Sequence, residues 1–117
     1  MYKTTVFVTL QLEGLHCFPK AGELFPDVHF LSSLHRHIFN FKLEKEVFHD
    51  DRDTEFIMFK RDVNAYLYDK YYSNAYNCLH FSNMSCEMIA RELIEGFECL
   101  SVEVSEDGEN GAKIIRL

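Results

Sequence analysis

Two histidines one residue apart, His35 and His37, are the sharpest chemical feature of the chain. On an extended strand, residues i and i+2 leave the same face, roughly 6–7 Å apart along the backbone. That spacing lets both imidazoles reach one ion. His16 ends an earlier alternating segment on its apolar parity and adds a third nitrogen if the two strands are neighbours. Three imidazoles with a fourth position open is the arrangement of catalytic zinc, whereas structural zinc is closed by four protein ligands. An open site takes a water or a substrate hydroxyl and lowers its pKa. The competing reading is a pair of partly buried histidines without metal, and the short motif alone does not separate the two. Glu106 is the second candidate. It stands at the inward end of an apolar strand, where a carboxylate must find a partner because unpaired burial is costly. The guanidine-like edge of a heterocycle would satisfy both of its oxygens; alternatively, Glu106 begins the turn over 105–110 and faces water. His29, His49 and His80 fall in segments that read as loops or turns, and solvation is expected for them.

The elements that must position these residues follow from hydrophobic periodicity. Over residues 3–13, Val6, Val8, Leu10 and Leu12 share one face of a half-buried strand. Residues 17–33, with Pro19, Gly22 and Pro26, read as a loop, and one this long is more often functional than idle. Alternation resumes at Leu34. His35, His37, Phe39, Phe41, Leu43 and Val47 share a face, and the strand stops at the charged turn His49–Asp53. The apolar run Phe56–Phe59 reads as a short returning strand. Val63, Tyr66, Leu67 and Tyr71 predict an amphipathic helix over 61–72. After a polar stretch, Ser73–Ser82, a second helix carries Cys86, Ile89, Ala90 and Leu93, capped by Asn83 or Ser85 and stopped at Gly96. Leu100, Val102 and Val104 mark another strand. A turn with two glycines over 107–111 leads to a final strand, Ala112–Leu117.

Composition bounds what such a chain can be. Its 117 residues suit one domain, 1–117, and 47% hydrophobic content excludes a disordered chain. No apolar run approaches the roughly 18–20 residues of a membrane span, and the N-terminus lacks a signal-peptide layout. A net charge of −7 with no Lys/Arg cluster makes nucleic acid and anionic membranes poor partners. Cys17, Cys78, Cys86 and Cys99 show no C-x-x-C spacing and read as reduced thiols in a cytoplasmic compartment. Eleven Phe and six Tyr are rich for this length, which points to aromatic surface buried between subunits.

Four segments carry a family resemblance. Leu15-His16-Cys17-Phe18 looks like an A-H-x-L segment ending a first strand, and Leu34-His35-Arg36-His37-Ile38-Phe39 looks like L-H-G-H-N-Y. Asn83-Met84-Ser85-Cys86-Glu87 with Ile89-Ala90 looks like N-P-T-x-E-x-x-A, and Val102-Glu103-Val104-Ser105-Glu106 looks like V-x-V-x-E-T. In this order they resemble the 6-pyruvoyl-tetrahydropterin synthase and 6-carboxy-tetrahydropterin synthase family over nearly the whole chain. The resemblance implies an α+β T-fold: a four-stranded antiparallel sheet with two helices on one face (ββααββ), assembled into an oligomeric barrel, tetramer or hexamer. It implies zinc on His16, His35 and His37, and Glu106 gripping the amino-pyrimidine edge of a reduced pterin such as 7,8-dihydroneopterin triphosphate.

The departures from the pattern concern proton transfer. Leu31 stands where the family places its catalytic cysteine, and Asp69-Lys70 stands where the family has Asp-His. Met58 replaces an aspartate before the first helix, Arg36 and Ile38 replace the glycine and asparagine of H-G-H-N, and Met84 and Ser85 replace Pro-Thr. General acid–base groups contribute about 10²–10⁴-fold in rate, so the family's elimination reaction is expected to be impaired. Cys17, Lys70, Ser32 and Ser33 are candidate substitutes, each with an ordinary structural role as the alternative. Besides a divergent lyase-like enzyme, the residues fit a non-catalytic pterin- or purine-binding module. A cupin-type metalloprotein built on His35-x-His37 and Glu44 is disfavoured, because that barrel needs more strands.

Overall fold

A computed structural model describes all residues, 1–117. Strand β1 (Thr4–His16) pairs antiparallel with β2 (His35–Val47) along its entire length, from Thr4 opposite Val47 to His16 opposite His35. Between them lie a short helix α1 (Ala21–Leu24) and 3₁₀ turns over Pro26–Ser32, so the segment read as a loop is largely helical turns. Helix α2 (Phe56–Tyr71) follows, then two short strands, β3 (Tyr72–Ser73) and β4 (Cys78–His80), helix α3 (Cys86–Gly96), and the hairpin β5 (Ser101–Glu106) and β6 (Asn110–Ile115).

The sheet is six-stranded, in the order β3-β4-β1-β2-β5-β6, rather than four-stranded. The two additions come from the polar stretch after α2: Leu79 pairs with Gly14 and with Tyr72, which places β4 parallel to β1. Strands of two or three residues are too short to show alternation, so only tertiary pairing reveals them. The apolar run Phe56–Phe59 forms the first turn of α2 and not a strand. Glu55 caps it by accepting a hydrogen bond from Met58 N–H, and only Phe59 of the four is buried.

One apolar core lies between the sheet and both long helices. β1 contributes Val8 and Leu10, β2 contributes Phe39, Phe41 and Leu43, and β5 contributes Val102 and Val104. α2 faces them with Phe59, Val63 and Leu67; α3 with Cys86, Ile89, Ala90, Leu93 and Ile94. This is the parity that the alternation predicts. Gly14 is required where two core rings meet the sheet: a Cβ there would lie 2.9 Å from both Phe39 and Phe81. No helix is long and apolar enough to cross a membrane.

Candidate metal centre

The inward faces of β1, β2 and β5 are apolar for most of their length and turn polar at one common end. His16 is the last residue of β1 and sits directly opposite His35, the first of β2. His37 follows two positions on, opposite Gly14. Glu106, the last residue of β5, pairs with Phe39. Four chemically active side chains are therefore gathered by strand register alone. The imidazole centroids lie 4.6, 5.1 and 5.5 Å apart with their planes 70–82° to one another, and Phe39 packs edge-on beneath His16 and His37.

One nitrogen from each of His16, His35 and His37 lies within 4.8 Å of the other two. The outer nitrogens are already engaged: Nδ1 of His16 is 2.8 Å from the Met84 carbonyl, Nδ1 of His35 is 2.8 Å from the Ser33 carbonyl, and Nδ1 of His37 is 2.8 Å from Asp107 Oδ2. Carbonyl and carboxylate oxygens only accept, so each Nδ1 carries a proton and Nε2 is the ring atom left to act as a ligand. The Nε2 atoms of His16 and His37 are buried and make no hydrogen bond. Glu106 approaches them, with Oε2 2.9 Å from His16 Nε2 and Oε1 3.5 Å from His37 Nε2, but without hydrogen-bond geometry. Burial is the main reason that the His16 pKa lies below its usual value, and the two neighbouring histidines push it the same way against Met84 and Glu106. Buried ring nitrogens and a carboxylate converging with no hydrogen bond between them suit a cation. Neutral imidazoles oriented by carbonyl and carboxylate partners are the donor set of zinc.

Asp107 is a residue that sequence reading assigns only to a turn. It has φ 58°, a left-handed conformation that Asp tolerates better than most residues. Its Oδ1 accepts from Ile38 N–H at 2.9 Å while Oδ2 holds His37. Those two hydrogen bonds, the backbone one first, draw its pKa below the usual aspartate value. The Met84 and Ser33 carbonyls were equally invisible, since any residue type supplies one.

A cavity of about 470 Å³ opens beside His16, His35 and Glu106, walled by the segment after β1 and the start of α3. Leu31 lines it and carries no titratable group. Cys17 also lines it: β1 ends at His16 and Cys17 N–H turns to the Ser82 carbonyl, so strand alternation no longer directs the side chain away. Cys86 is the other cavity thiol. Burial and the adjacent Glu106 push its pKa up to about 12, which keeps it protonated and unreactive. Lys70 lies outside the cavity, 3.0 Å from Glu92, and that partnership raises its pKa, the opposite of what a proton shuttle needs at neutral pH. Ser32 bonds the His29 carbonyl. His29 and His49 are exposed as expected, whereas His80 is half-buried in β4 and accepts from Ser82 N–H.

No family model and no curated protein matches the chain. Among solved structures it is similar to the 6-pyruvoyl tetrahydropterin synthase of Caenorhabditis elegans, with a TM-score of 0.72 over 100% of this chain and 98% of that one. The two chains share a mixed α+β fold. Their sequence identity is 13%, so the likeness concerns architecture, and the chemistry rests on the side chains described above.

Proposed function

We propose that this protein is a divergent, zinc-dependent relative of the 6-pyruvoyl- and 6-carboxy-tetrahydropterin synthases that acts on a reduced pterin. The observation that carries the proposal is the set of three imidazoles whose Nδ1 atoms are tied outward while the buried Nε2 atoms of His16 and His37 stand unpartnered. His16, His35 and His37 would hold the zinc, which would supply Lewis acidity toward a hydroxyl or carbonyl oxygen of the ligand. Glu106, at the cavity wall beside them, accepts the two N–H groups of the amino-pyrimidine edge and fixes the ring. The chain resembles the T-fold subunits that join edge to edge. An open edge at β6, and exposed Phe7 and Ile38 on the sheet face away from the helices, support a homo-oligomeric barrel, tetramer or hexamer. Four free thiols support a reducing, cytoplasmic setting.

A second reading, a module that holds a pterin or purine without converting it, is favoured by one feature of the same wall. Leu31 cannot move a proton and Cys86 keeps its own, so the cavity lacks an activated base from these positions. The deciding experiment loads the purified protein with zinc, measures stoichiometry and reduced-pterin binding, and looks for eliminated product. About one zinc per subunit, pterin binding weakened by Glu106→Gln, and turnover well below a synthase rate are expected. Binding with no product selects the second reading. A folded protein that takes up no zinc defeats the first reading.

A further inference from the structure

Residues 17–33 join β1 to β2 and supply Cys17, Phe18, Phe25 and Leu31 to the cavity wall. Their hold on the rest of the chain is concentrated at their two ends. None of them belongs to the apolar core, and Ala21 alone is buried. The turns inside the segment close on its own backbone: Phe25 N–H donates to the Ala21 carbonyl, and Ser33 N–H to the Phe30 carbonyl. At the base, Phe18 N–H donates to the Leu31 carbonyl at 2.7 Å, which joins the outgoing arm to the returning one. Cys17 N–H donates to the Ser82 carbonyl. A segment held in this way opens locally at lower cost than the sheet that carries it.

The two arms run directly into two of the three histidines. His16 immediately precedes the outgoing arm; His35 follows the returning arm, and its Nδ1 donates to the Ser33 carbonyl at 2.8 Å. His16 and His35 are also the last pair of the β1–β2 ladder, the place where an antiparallel ladder frays. Held on one cation, their rings would fix that pair, and a clip at the base of a loop removes its open conformations. Resting on the reading of the three histidines as a zinc site, we propose that the same site is the fastening point of segment 17–33. Metal occupancy then sets how firmly the segment closes, and with it whether the wall that receives the organic ligand is in place. Such coupling is reciprocal, so whatever loosens the segment weakens the metal.

The test is amide hydrogen exchange on the full chain, zinc-loaded and after zinc removal by a chelator, with zinc content measured on the same samples. With zinc bound, the amides of Cys17, Phe18 and Ser33 should exchange about tenfold more slowly. Those of Leu100 and Arg116, which bond the Glu44 and Leu100 carbonyls at the other end of β5, should not change. Ala21→Gly, outside both the cavity wall and the histidine cluster, widens the open ensemble of the segment and should weaken zinc binding about threefold. Bound zinc with unchanged exchange at the three amides overturns the proposal and leaves the zinc reading standing. Equal slowing at Leu100 and Arg116 also overturns it, because general stabilisation or a change of assembly needs no fastening point. An Ala21→Gly chain that binds zinc as tightly as the parent does the same. A folded chain that takes up no zinc ends the zinc reading, and the proposal with it.

Discussion

Between α2 and α3, the Glu92 carboxylate accepts hydrogen bonds from Tyr66 at 2.9 Å and Tyr71 at 2.6 Å and pairs with Lys70 at 3.0 Å. At the end of the sheet, His16, His35, His37 and Glu106 crowd together as closely, yet two of their buried nitrogens have no partner. Both clusters abut the same apolar core, and Met84 touches both: its sulfur meets Tyr71 OH and its carbonyl meets His16 Nδ1. A satisfied buried network rigidifies the fold, while an unsatisfied one carries a cost that a ligand can remove. The first cluster clasps two helices; the second leaves two buried nitrogens without a hydrogen-bond partner.

Substitutions in the two clusters should therefore separate stability from metal binding. The largest effect is expected from His16→Ala, which removes one of the three imidazoles together with its contact to the Met84 carbonyl; zinc uptake measured by competition with a chromogenic chelator should be lost. Asp107→Asn comes next. An amide keeps the turn conformation but has one accepting oxygen for two donors, so zinc affinity should fall about 10–100-fold with the fold intact. Glu92→Gln should do the reverse, lowering stability in urea by about 1–2 kcal/mol with zinc affinity unchanged.

The smallest effect is a change in pH dependence. Burial raises the pKa of Glu92, but hydrogen bonds from Tyr71, Lys70 and Tyr66 outweigh it and hold the group below its ordinary 4.5. A carboxylate with a depressed folded pKa contributes stability above the unfolded value and loses it as pH falls through the folded one. The acid limb of the stability curve below about pH 4.5 should therefore flatten in Glu92→Gln. An unchanged limb would show that the clasp does not form as described.

The long strands and the histidine face were legible because alternation over thirteen residues leaves one choice of register, and a one-residue slip would expose Phe39, Phe41 and Leu43. Cys86, Ile89, Ala90 and Leu93 disclosed α3 for the same reason, at helical spacing. Phe56, Ile57 and Met58 misled because all three are exposed apolar residues at the start of a helix, where an unbroken apolar run hides the 3.6-residue period. Asp107 was hidden by its own ordinariness in a turn, since its partner His37 is seventy residues away. The position of Cys17 depended on where β1 ends, and strand ends are the least certain feature of a pattern.

The most direct test of the central claim is the zinc-edge X-ray absorption spectrum of the loaded protein. Three imidazole rings meeting one cation predict scattering from nitrogen or oxygen at about 2.0–2.1 Å with imidazole outer shells. A sulfur shell near 2.3 Å, from Cys17 or Cys86 in the same cavity, would contradict it.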